Sequence, residues 1–143
     1  MSMYRAGVRK FVFLNAHVGN NTAIKAAMRE VYAQCDMKVY AFTYPGAEAV
    51  ISRVCTSKRP HKAYFHACEI ETSYMLYLCP EQVDMSKAIS QYPIFPDDFD
   101  VTPHRWTEIM PTAVLGDATA ATAEKGKEII DAVVENMARL LGE

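Results

Sequence analysis

Two short segments of this chain gather the groups that could do chemistry. The first is Asn15-Ala16-His17-Val18-Gly19-Asn20-Asn21, the second His66-Ala67-Cys68-Glu69-Ile70-Glu71-Thr72-Ser73. In the first, a histidine follows an apolar run and is flanked by asparagines. Neutral imidazole is the commonest metal-binding side chain, so His17 reads as a candidate metal ligand. A loop whose Asn side chains cap the next helix, with His17 in solvent, explains the same residues. In the second segment two carboxylates and a histidine fall within six residues, where a turn leads into an apolar helix. A carboxylate at a buried helix start is costly unless the helix dipole, hydrogen bonds or a cation offset its desolvation. Glu71 therefore either caps the helix amides, or serves as a ligand or as a general base on an activated water. Cys68 reads as a spacer, a soft-metal ligand or a reactive thiol, the last implying acyl transfer with His66. His61, Asp97, Asp98, His104 and Trp106 are lesser candidates, with His104 and Trp106 placed to form a lid over a small substrate.

These groups need elements to hold them. Lys10-Phe11-Val12-Phe13-Leu14-Asn15 reads as a parallel strand buried on both faces. Asn21 or Thr22 caps a helix whose stripe is Ile24, Ala27, Met28, Val31, Tyr32 and Cys35. A second strand spans 37–44, so strand, helix and strand make a right-handed βαβ unit and the sheet is at least partly parallel. Ligand sites in open α/β sheets lie at the carboxyl ends of strands, which is where His17 stands. Residues 47–55 suit a short helix, and 56–62 a basic, solvated loop. Residues 69–78 are apolar nearly all round, as for a buried helix, and Pro80 ends it. Residues 86–116 hold Pro93, Pro96, Pro103 and Pro111 and read as a long surface excursion, a kind of segment that is often functional. The closing helix carries Ile129, Ile130, Val133, Val134, Met137, Leu140 and Leu141 on one stripe, with start signals at Gly116-Asp117-Ala118-Thr119.

Composition bounds the rest. The 143 residues are 50% hydrophobic and 22% charged, with a formal net charge of −2. That is ordinary for one globular domain and supplies no basic stripe for nucleic acid. No apolar run approaches the ~20 residues that span a bilayer, and the amino terminus has no signal-peptide pattern. The expectation is one α/β domain over residues 1–143, cytoplasmic, bound to neither membrane nor nucleic acid. The four cysteines match no zinc pattern and read as free thiols, Cys35 and Cys79 as small core residues.

At these segments the chain resembles the creatininase (creatinine amidohydrolase) family. Phe11 to Asn21 is similar to the family's hydrophobic strand and Asn-Gly-His-Gly-Gly-Asn motif. His66 to Ser73 is close to its His-Ala-Gly-Glu-x-Glu-Thr-Ser, and Met75-Leu76 and Pro80 to Met85 continue the likeness. Gly116-Asp117-Ala118-Thr119-Ala120-Ala121-Thr122-Ala123-Glu124-Lys125-Gly126 is similar to Gly-Asp-Pro-x-x-Ala-Thr-x-Glu-Lys-Gly. The resemblance implies a three-layer α/β/α sandwich with a largely parallel sheet, a homo-oligomer, and hydrolysis of a C–N bond in a small cyclic or linear amide by metal-activated water. By motif position His17 and Glu71 would be metal ligands, and Glu71 and His66 the catalytic pair, with His66 orienting substrate or stabilising developing charge. Asn20, Glu69 and Trp106 are expected to bind substrate. The metal expected is Zn, Mn or Fe.

The chain departs from the family at Ala16, Val18 and Cys68, which replace glycines. It also has no counterpart of the family's amino-terminal Glu-x-His-Gly-x-His-Leu-Pro motif or its later Asp. The expectation is thus a carboxyl-terminal half with at most three ligands, needing an amino-terminal portion or partner subunit, and either oligomeric through its bared edge or only marginally stable. The alternative is a non-catalytic binding, regulatory or degenerate fragment of that fold.

Overall fold

The computed structural model describes residues 1–142 and divides into two compact units. One comprises Met1–Pro45 with the residues from Asn136 onward, the other Gly46–Glu135.

The first unit opens with one helical turn, α1 (Ser2–Arg5), ahead of the strand expected at the start. The strand β1 (Lys10–Leu14) leads through a 3-10 turn at Val18–Asn20 into α2 (Asn21–Gln34), and β2 (Lys38–Phe42) returns parallel to it. Lys10 pairs with Lys38 and Leu14 with Phe42. The apolar run at 10–15 was read as buried on both faces. Instead it alternates: Phe11 and Phe13 are half-buried, while Val12 and Leu14 are 38% and 75% exposed. Among the described residues β1 pairs with β2 alone, so its other edge carries no strand.

The second unit holds α3 (Ala47–Val54), α4 (Glu69–Leu78), α5 (Trp106–Ile109) and the first part of α6 (Ala123–Leu141). Two short strands, β3 (Ser90–Gln91) and β4 (Gly116–Asp117), pair antiparallel, and His66 bridges to Leu115 beside them. Its core is Ala47, Ile51, Cys68, Ile70, Leu115, Ala118, Ala121, Ile129 and Val133. At Gly126, α6 meets α4 backbone to backbone. A Cβ there would lie 1.9 Å from the Ser73 carbonyl oxygen, a separation that only glycine permits. The Ser73 hydroxyl accepts from the Thr122 amide at 3.2 Å, and Thr122 Oγ1 accepts from the Lys125 amide. The start of α6 is therefore capped by Thr122, while Asp117, read as part of the start signal, folds an Asx turn onto Thr119. α4 is buried at Glu69, Ile70 and Ser73, but its last turn is open, with Leu78 53% exposed.

The stretch from 86 to 116 runs along the surface, with only Leu115 and Gly116 buried, and its rings pack on one another. Phe95, Phe99, Tyr64, Trp106 and the His61 and His104 rings stack, tilt or meet edge to face at centroid distances of 4.6–6.1 Å. His61 Nε2 lies 3.4 Å from Asp100, which also pairs with Lys62, and His104 pairs with Asp98 at 2.9 Å. No helix among the described residues is long and apolar enough to cross a membrane.

Candidate functional site

In the first unit the loop after β1 is organised by Asn15, which is 7% exposed. Its Nδ2 lies within 2.9–3.0 Å of the His17 carbonyl, Asn21 Oδ1 and Thr43 Oγ1, and its Oδ1 accepts from the His17 amide and Asn20 Nδ2. A buried amide must find partners for both its ends, and here they are the loop it introduces. The asparagines thus knit the loop together, and no side-chain cap bond forms on α2. His17 is exposed, and its ring lies over Gly19, where a Cβ would be 2.7 Å from Nε2. The imidazole has no hydrogen-bond partner among the described residues. Asn20 is exposed, with its amide nitrogen committed to Asn15. Asn15 and Thr43 were not singled out as site residues, although an Asn closing an apolar strand is a legible signal.

In the second unit the two carboxylates that read as a pair part company. Residues two apart on a helix point to nearly opposite sides. Glu69 turns inward and is fully buried, and its oxygens accept from the Thr56 amide, the Ser57 amide at 2.7 Å, Thr56 Oγ1 and Lys125 Nζ at 2.5 Å. Burial opposes its ionisation, but the hydrogen bonds from Lys125, Ser57 and Thr56 outweigh that and bring the carboxyl down to about 2. Lys125 also donates to the Ala120 carbonyl. Nothing in sequence linked Lys125 to Glu69, which it meets across 56 positions. The basic loop at 56–62, read as solvated, is pinned at its start by this carboxylate.

Glu71 is half-buried and reaches back from the first turn of α4 to the Ala67 amide, 2.5 Å from Oε2. That is a capping-box-like bond one residue further out than usual. Its other oxygen has no hydrogen bond among the described residues. His66 is exposed and paired through its backbone with Leu115, at 3.3 Å and 2.7 Å, and its Nδ1 lies 2.7 Å from the Ala113 carbonyl oxygen. Ala67 and Ala113 both take positive φ, +45° and +62°, which is uncommon for a residue with a Cβ. Trp106 opens α5 and is 40% exposed, meeting Tyr64 and Phe99 edge to face at 5.4 and 5.3 Å.

Cys68 is buried, and burial pushes its thiol above the usual value. Burial and the nearby Glu69 carboxylate raise Cys55 to about 11. A buried neutral thiol is a poor nucleophile, which removes the support for acyl transfer at Cys68. All four cysteines are free. Among the described residues no three of His, Cys, Asp or Glu gather in a group that could hold a metal ion. A catalytic zinc-type site uses about three protein ligands, so the donors present do not fit a complete metal centre.

Comparison with known proteins bears on the whole chain. It is 30% identical over 148 positions to creatinine amidohydrolase from Pseudomonas putida, spanning 97% of this chain and 57% of that protein. It is 31% identical over 136 positions to the mycofactocin precursor peptide peptidase of Mycobacterium ulcerans (strain Agy99), spanning 91% and 48%. The chain therefore spans about half the length of the curated relatives it matches. A crystal structure of creatinine amidohydrolase superposes with a TM-score of 0.79 at 32% identity, covering 99% of this chain and 58% of that one. Other creatininase structures of similar fold include a Zn-Zn form, a Mn form and a complex with creatine. The family model for creatininase, described as creatinine amidohydrolase, matches residues 1–141, and the chain belongs to that family.

Proposed function

We propose that this chain is the carboxyl-terminal part of a creatininase-type amidohydrolase, cleaving the C–N bond of a small cyclic or linear amide. The observation that carries the reading is His17. Its imidazole is exposed and without a hydrogen-bond partner among the described residues, after the end of β1 and inside a loop that Asn15 holds together. A rigid loop fixes where the imidazole stands, and the hydrogen bond that a ligating histidine needs on its second ring nitrogen we place on the amino-terminal portion as well. Glu71, with one oxygen held by Ala67 and the other open, is the second donor. When bound, a divalent metal, Zn, Mn or Fe, would polarise the attacking water and the amide carbonyl. The donors described here fall short of such a centre, so we place the remaining ligands on an amino-terminal portion or partner subunit, within a three-layer α/β/α sandwich. Relatives solved in Zn-Zn and Mn forms support the choice of metal class, and the creatine complex supports a small-molecule substrate.

His66 is assigned to orienting the substrate carbonyl or meeting its developing charge, and Glu71 to ligation or proton transfer. Asn20 and Trp106 are the substrate contacts, with Trp106 offering a flat wall braced by Tyr64 and Phe99. Glu69 has its carboxylate engaged on every side, and we assign it to holding the 56–57 loop rather than substrate. The assembled enzyme is proposed to be cytoplasmic and oligomeric.

The test is metal stoichiometry by elemental analysis of the purified chain, alone and with a family amino-terminal half added in trans. His17→Ala and Glu71→Ala are the controls. Stoichiometric metal that appears on complementation and disappears in both variants is the expected result. Metal that never binds, or binds equally in both variants, would replace this reading with a non-catalytic fragment of the fold.

A further inference from the structure

The segment that carries Ala113 does more than pair with His66. A carbonyl oxygen can only accept a hydrogen bond, so the 2.7 Å contact between His66 Nδ1 and the Ala113 oxygen requires the proton on Nδ1. In the neutral ring Nε2 then keeps its lone pair. The contact is made where Ala113 sits at φ +62° and where His66 and Leu115 exchange both backbone hydrogen bonds. Thr112 and Gln91 bond through their side chains, and the Val114 amide donates to Thr112 Oγ1, so the 112–115 segment is tied on both sides of Ala113. A left-handed alanine persists only where the surroundings over-determine it, and such positions cluster at functional sites.

We propose that Ala113 is a positioning residue: its left-handed backbone locks His66 in the Nδ1–H tautomer, so that Nε2 is the nitrogen that accepts a proton or hydrogen bond from substrate or water. The functional part of this proposal rests on the assignment of His66 to the site. The tautomer itself rests on geometry alone. The same chain supplies an internal contrast, since the Ala63 amide donates to His61 Nδ1 at 3.1 Å and forces the opposite tautomer there.

The experiment is ring 15N spectroscopy of the histidine-labelled chain at about pH 8.5, where imidazoles are neutral, with His66 assigned by the signal lost in His66→Gln. His66 should show a protonated Nδ1 and a bare Nε2, and His61 the reverse. Ala113→Gly, which adopts positive φ freely, should keep the His66 pattern. Ala113→Val, whose β-branch resists it, should shift His66 toward the Nε2–H form that free imidazoles favour. A wild-type His66 protonated on Nε2 overturns the lock, as does a folded valine variant with an unchanged pattern. If the valine variant does not fold, the wild-type and glycine spectra still decide. No substrate enters this measurement. An absence of amide hydrolysis in the complemented enzyme would sink the functional reading and leave the lock standing, whereas a wrong tautomer would sink the lock alone.

Discussion

Replacing Glu69 by Gln should weaken the fold in a way that depends on pH. The carboxylate is fully buried and accepts from two amides, one hydroxyl and the Lys125 ammonium. Its folded value, about 2 against an ordinary 4.5, corresponds to about 3 kcal/mol of preference for the ionised form. Lys125 is 19% exposed, so solvent screens part of that attraction. A loss of about 2–3 kcal/mol is expected at neutral pH. Glutamine keeps the shape but turns an NH2 toward groups that are themselves donors, and it leaves Lys125 with the Ala120 carbonyl alone. The sign follows from the depressed value: the contribution is complete above pH 4.5 and is lost as pH falls toward 2. Urea unfolding of the wild type and Glu69→Gln across pH 2 to 7 measures it. The two midpoints should lie apart at neutral pH and converge in acid. A gap that is absent at pH 7, or that stays constant into acid, would refute the account of Glu69 as a charged clamp on the 56–57 loop.

Gly126→Ala tests the crossing of α4 and α6. Alanine gains about 1 kcal/mol of helix propensity, but its Cβ would stand 1.9 Å from the Ser73 oxygen, a backbone atom that cannot swing away. The clash should win, with a net loss of about 1–3 kcal/mol in thermal or urea unfolding, and a stabilised variant would show that the helices are not this close. Asn15→Ala removes the hub of the His17 loop and should cost about 2 kcal/mol while raising amide exchange at 16–20. Unchanged exchange there would mean that the loop is held by something other than Asn15.

How much of this was legible in the sequence differs by element. Apolar periodicity located β1, α2, β2, α3, α4 and α6 to within a few residues because each draws at least part of one face out of full exposure. What covers the other face is not written in the apolar pattern, so β1 and the end of α4 read as buried although Leu14 and Leu78 are exposed. Glu69 and Glu71 read as a pair by proximity in sequence, yet their i, i+2 spacing on a helix already separated them. Lys125 was invisible as the partner of Glu69 because no local signal encodes a contact between two distant segments. The ordering of 86–116 was missed because its aromatics follow neither helical nor strand period. They pack on one another around His61 and Phe99 at the surface, an arrangement that periodicity does not detect.

Two shortages in this chain have one physical explanation under the proposed reading. Among the described residues no group of donors suffices for a metal centre, and the first unit carries a parallel two-stranded sheet with Val12 and Leu14 open on one face. Parallel sheets are stable when both faces are covered, and a bare edge with apolar side chains is a template for further pairing. The creatininase structure matched here extends well beyond the region this chain covers, which spans 58% of it. A segment that completes the sheet would arrive at the strand ends where His17 stands, and ligand sites in such sheets lie at those ends. Pairing the bare edge of β1 and supplying the missing donors would then be one event. In the complementation experiment metal uptake and protection of the β1 amides should therefore appear together, in the same proportion to added partner. Metal uptake without protection of β1 would separate the two shortages and place the missing ligands elsewhere.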